Sequence, residues 1–145
     1  MLITVSFGYM LVQLSSLPIA IAIPTLASQF DVGVEDVALM VVAYLTTLGS
    51  FVLLSARVGD YIGHNKIFMF GLITLTVASG VICTATDLWQ IIGYRAVAGL
   101  GSDMVMGNAN AIIAASFQPE ERGRAFGFLI IGARFGTFVG LALFG

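Results

Sequence analysis

An all-α integral membrane protein with five transmembrane helices is the architecture this sequence predicts. Three observations predict it. The chain is 59% hydrophobic and only 10% charged over 145 residues, with a mean hydropathy of +1.02. Soluble domains carry about a quarter charged residues, so this chain has too few to cover itself in water. Second, it contains apolar runs of the roughly 20 residues that a helix needs to cross a bilayer core. Third, the basic residues between those runs fall in alternate connections, as they do in multi-span proteins.

The first span, about 7–27, contains no charge. No Lys or Arg precedes it, and it exceeds the usual apolar core of a cleavable signal peptide, so it reads as a permanent span. Pro18 and Pro24 are expected to kink it, with neighbouring helices compensating the lost hydrogen bonds. The second and third spans, about 37–56 and 67–86, are also free of charge, whereas the fourth, 88–116, contains Arg95 and Asp103. The fifth, about 123–145, contains Arg134. Pro119 followed by Glu120 and Glu121 marks its helical start, with proline in the first turn and acids at the positive end of the dipole. The chain thus reads as one partial N-terminal transmembrane domain over 1–145.

Orientation follows from the connections. The hinge "RVGDYIGHNK" carries Arg57 and Lys66, and "FQPEERGR" carries Arg122 and Arg124, whereas residues 28–36 and the turn around Asp87 carry no base. The positive-inside rule then places the second and fourth connections, and the N-terminus, in the cytoplasm of a multi-pass protein of the cell membrane.

Composition also excludes. A net charge of −2 gives no basic surface for nucleic acid. One cysteine, Cys83, and one histidine, His64, provide neither a disulfide framework nor a metal cluster, and no cofactor is expected. No nucleophile–base set can be assembled, so the chain does not read as an enzyme.

The charges inside the apolar runs carry the functional signal. A charge at mid-bilayer costs about 2.5–3.5 kcal/mol on insertion scales and so seeks a partner or a cavity. Asp103 follows Gln90 by 13 residues and Arg134 follows Arg124 by 10. At 1.5 Å per residue these sit about 20 and 15 Å deep from opposite faces. Asp103 and Arg134 are therefore expected to meet near the midplane, either as glue for the bundle or as part of a transport path. Gly99, Asp103, Gly107 and Asn110 recur at spacings of four, four and three, with Arg95 four before Gly99. That face suits either a water-filled path or close helix packing. Gln13, Ser16 and Ala20 repeat it more weakly. Gly132, Gly136 and Gly140 form overlapping G-x-x-x-G units, a packing face or, alternatively, a gate.

The hinge resembles the loop between helices two and three of the major facilitator superfamily, roughly G-x-L-A-D-R-x-G-R-[RK]. Asp60 and Gly63 match, Gly59 stands where the pattern has alanine, and its basic end is thinned to His64, Asn65 and Lys66. "YRAVAGLG" resembles R-x-x-Q-G-x-G, with Arg95, Gly99 and Gly101 in place. "GARFGTFVG" is similar to the exporter signature G-x-x-x-G-P-x-x-G-G, with Thr137 for the proline and Leu141 for the last glycine. "SSLPIAIAIPTLA" resembles the first-helix signature of the fourteen-span drug:proton antiporter branch, with Ser15 where that branch has aspartate and Ala20 where it has asparagine.

The resemblance implies the N-terminal part of a major-facilitator helical bundle. It implies proton-coupled efflux of drugs or small amphipathic metabolites by alternating access, or else uptake by a facilitator or symporter. Its partners would be a small-molecule substrate, protons, the lipid bilayer and the remaining helices of a longer transporter. Such transporters have at least twelve spans, so a five-span chain is expected to be a fragment; a truncated, non-transporting membrane protein is the reading from another class. Asp60, Gly63, Lys66 and Gly59 would form the cytoplasmic gate, and Arg95, Asp103, Asn110, Arg134 and Gln13 the substrate or proton pathway. Gly99, Gly101, Gly132, Gly136 and Gly140 would pack the helices.

Overall fold

The computed structural model describes residues 2–16 and 18–144, with the side chains of 18–22 and 143–144 outside that description. Every described element is α-helical: α1 (Leu2–Ser16), α2 (Pro18–Phe30), α3 (Val34–Ser50), α4 (Val52–Ile62), α5 (His64–Ile82), α6 (Leu88–Ser116) and α7 (Pro119–Phe144).

Two of the predicted spans are interrupted. The first is divided into α1 and α2, with Pro18 opening the second piece. A proline has no N–H to bond the preceding turn, which makes the first turn of a helix its natural place. The second is divided at Phe51, where α3 and α4 meet at 45°. Phe51 keeps helical-side dihedrals, φ −109° and ψ −2°, but leaves the regular ladder. Gly49 and Ser50 end α3 just before that bend, a pair at which helices kink readily, and the tertiary contacts described below hold the kinked form.

These interruptions shorten the apolar helices on which the span count rests. By length and apolarity two helices qualify to cross a membrane, α5 and α7, and a third is reached when α3 and α4 count as one bent span. α1 is apolar but has only 15 residues. α6 has 29, long enough at about 43 Å, but Arg95, Asp103, Asn108, Asn110 and its glycines dilute its hydropathy. Five spans therefore do not follow from apolar length in the folded chain.

The connections are also tighter than the sequence predicts. Residues 57–66, read as a loop, are helical except for Gly63, whose φ of +110° is a conformation that L side chains rarely adopt. The third span ends at Ile82, four residues short, because the backbone turns through Cys83–Ala85. Pro119 does open α7, with Glu120 and Glu121 in its first turn.

α6 is the central element. It packs along α5, α3 and α4, while α7 lies along α1. The α5–α6 approach is backbone to backbone: a Cβ added to Gly101 would stand 2.7 Å from the Leu75 nitrogen and 2.9 Å from the Gly71 oxygen. α7 meets α1 similarly, with Cβ positions on Gly132 and Gly136 lying 2.9 Å from Ser6 O and 2.5 Å from Met10 O. Small residues at such contacts let helices associate where lipid removes the hydrophobic drive. Gly140 is buried, and Gly99 packs on α3, its Cβ position 2.9 Å from Tyr44 O.

The polarity of the fold is inverted relative to a soluble protein. Ser102, Asp103 and Asn108 are fully buried, while Phe128, Ile131, Phe135 and Phe138 of α7 and Phe70, Ile73 and Val77 of α5 are exposed. Water around such a surface would be costly, and lipid would not.

Candidate functional site: a buried polar seam along α6

The interior polar groups lie along α6. Near its start, Arg95 donates from Nη1 to the Ser15 carbonyl of α1 at 3.2 Å, and its Nε is buried with no partner among the described residues. Ser102 donates to the Ala98 carbonyl and pairs with the Tyr44 hydroxyl at 3.0 Å. Tyr44 pairs in turn with Ser16 Oγ at 2.8 Å, so a hydroxyl relay joins α1, α3 and α6. Tyr44 is 2% exposed, and its position on α3 projects it into the core between those helices.

Asp103 comes next and meets the bend. The Phe51 N–H, freed at the α3–α4 break, donates to Asp103 Oδ2 at 3.3 Å. Ser55 Oγ of α4 donates to the Asp103 backbone carbonyl at 3.0 Å. α6 thus supplies the acceptor that a broken helix needs, since an unpaired buried N–H costs as much as a lost hydrogen bond. Gly107 leaves room for this approach: its Cβ would stand 2.7 Å from both Ser55 Oγ and Val52 O. The second carboxylate oxygen, Oδ1, is buried with no partner among the described residues.

The seam ends at the α4–α5 hinge. Asn108 donates from Nδ2 to Met104 O at 2.9 Å and to Ser55 O at 3.3 Å. Its Oδ1 lies 2.8 Å from His64 Nδ1. His64 Nε2 lies 3.2 Å from Asp60 Oδ1, an ion pair when the imidazole is protonated. A Cβ on Gly59 would collide with Asn108 Oδ1 and stand 2.5 Å from His64 Nδ1, so the absence of a side chain there creates the contact.

The pairing of Asp103 with Arg134 does not form. Arg134 is exposed on α7, Asp103 is 1% exposed, and no ion pair joins them. The depths matched, but α7 packs mainly on α1 rather than on α6, so equal depth did not mean contact. Asn110, on the same heptad face as Asp103, is exposed and interacts with Tyr9 of α1. Gln13 is half-buried on α1, and Lys66 is exposed at the start of α5. The sequence reading passed over Tyr44, Ser102 and Asn108. Ser102 and Asn108 carried a signal, being polar residues in an otherwise apolar helix; Tyr44 carried none.

Residues 5–145 match the family model of the Major Facilitator Superfamily. The chain is 30% identical over 135 residues to the major facilitator superfamily multidrug transporter mfsC of Aspergillus fumigatus, covering 90% of this chain and 26% of that one. It is 26% identical over 126 residues to the riboflavin transporter RibZ of Clostridioides difficile (87% and 28%). It is 27% identical over 134 residues to the tetracenomycin C resistance and export protein of Streptomyces glaucescens (91% and 25%). The chain therefore spans about a quarter of the length of these relatives.

Proposed function

The chain belongs to the major facilitator superfamily, a family of membrane transporters, and on that premise we propose that it forms part of a proton-coupled exporter of drugs or small amphipathic metabolites. The N-terminus lies in the cytoplasm, and the remaining helices of the longer transporter complete the cavity. Alternating access moves helical bundles around a site near the midplane.

One observation carries the reading. Asp103 and Arg95 are charged groups inside the helical bundle, and each leaves a buried polar atom without a partner among the described residues. Such groups are costly in an apolar interior and persist where a cavity, an ion or a missing partner meets them. In the complete transporter Asp103 takes up and releases the coupled proton, and Arg95 balances charge or contacts substrate. Two relatives with a multidrug or an export designation favour outward movement of amphipathic molecules. The riboflavin transporter among the relatives favours a second reading, in which the same seam serves uptake of a metabolite by a facilitator or symporter.

The test is proton-driven dye efflux from vesicles carrying the full-length protein. Asp103→Asn keeps an acceptor for the Phe51 N–H but cannot ionise, so coupled efflux should fall at least tenfold while the protein remains folded. Unchanged efflux would remove Asp103 from the coupling role.

A further inference from the structure

We propose that His64 is a positioning residue for the intracellular hinge, joining it to Asn108 of α6 through Nδ1 and to Asp60 of α4 through Nε2, a pair of donations that only the doubly protonated imidazole can make. The clasp would therefore tighten and loosen with cytosolic pH.

The argument starts from Asn108. Its Nδ2 is committed to the Ser55 and Met104 carbonyls, at 3.3 and 2.9 Å, so the amide cannot turn over without breaking both bonds. Its Oδ1 consequently faces the imidazole as an acceptor, 2.8 Å from Nδ1. On the opposite side Nε2 faces the Asp60 carboxylate at 3.2 Å. Both ring nitrogens thus meet oxygen acceptors. A neutral imidazole has one N–H and one lone pair, so one of the two oxygens would then face a lone pair. The imidazolium has two N–H donors and satisfies both.

The surroundings fix which groups take part. From α4 the charged neighbour is Asp60, with Arg57 exposed a turn earlier; on α5 it is Lys66, exposed two residues further on. From α6 the group in contact is the neutral Asn108, itself fully buried. The hinge between Asp60 and His64 turns on Gly63 at φ +110°, the one non-helical residue between α4 and α5. Gly59 leaves the space in which the three side chains meet. Histidine is the side chain whose charge changes nearest physiological pH. Removing the second proton releases one end of the clasp, freeing either the Asp60 carboxylate or the α6 side of the hinge.

The clasp is read without transport, in the full-length protein in nanodiscs. Hydrogen exchange over residues 59–66 is compared at each pH with His64→Arg, whose guanidinium keeps several donors throughout; the ratio cancels the intrinsic pH dependence of exchange. The ratio of wild type to variant should be near one at pH 6 and rise at least about fivefold by pH 8. His64→Gln, with one donor end and one acceptor end, should exchange fast at both. The nitrogen NMR signals of the imidazole, assigned by their loss in His64→Gln, should show protons on both nitrogens wherever the segment is protected. A ratio that stays constant from pH 6 to 8, or a neutral imidazole in a protected hinge, overturns the proposal. Its consequence for transport rests on reading this hinge as a gate. A pH-linked clasp with pH-independent substrate gating would keep the clasp and remove the gate.

Discussion

Gly59→Ala tests the seam at its tightest point. The added methyl would occupy the position of Asn108 Oδ1, in a carboxamide held by the Oδ1 contact to His64 and the Nδ2 bonds to the Ser55 and Met104 carbonyls. Displacing the carboxamide weakens three hydrogen bonds, each worth about 0.5–1.5 kcal/mol net, and leaves buried polar atoms short of partners. The loss is about 2–4 kcal/mol. Against it stands a gain of about 0.8–1 kcal/mol from replacing glycine by alanine within α4. The net cost in wild type is then about 1–3 kcal/mol. In an Asn108→Ala background the nearer obstruction and its hydrogen bonds are gone, leaving the His64 ring 2.5 Å from the methyl, so the cost of Gly59→Ala should fall by about 2–4 kcal/mol. The double-mutant cycle therefore predicts a coupling of about 2–4 kcal/mol, measured by reversible unfolding in mixed micelles. Equal effects of Gly59→Ala in both backgrounds would refute the geometry, and with it the claim that α6 holds the hinge.

Gly101→Ala should destabilise by about 1–2 kcal/mol, because its methyl meets the α5 backbone, which can yield only by separating the helices. Gly127→Ala, on an open stretch of α7 with nothing within 4 Å, should be neutral or stabilising in the same melt. Asp103→Ala and Arg134→Ala should combine additively within about 0.5 kcal/mol in unfolding, since the two residues share no partner. A larger coupling would restore their pairing.

The sequence by itself determined the solvent of this protein and its all-helical class. Both follow from composition and run length, which are local properties: too few charges for a water-facing surface, and stretches long enough to satisfy their own backbones in lipid. The start of α7 was local as well, written in Pro119 and the two glutamates after it. Depth along a helix was also legible, because rise per residue is fixed.

Which helix faces which was decided only by the tertiary structure. Asp103 and Arg134 were placed at matching depths, yet α7 pairs with α1, and the partner of Asp103 is the Phe51 backbone. Gly49 and Ser50 permit that bend locally, but the acceptor that compensates it comes from 52 positions away. Tyr44, Ser102, Asn108 and His64 likewise became a site only when α6 was laid against α1, α3 and the hinge. Periodicity fixes the direction of a side chain around its own helix axis. The rotation and pairing of helices are set by where backbones approach at Gly99, Gly101 and Gly107, and those contacts exist only between separate helices.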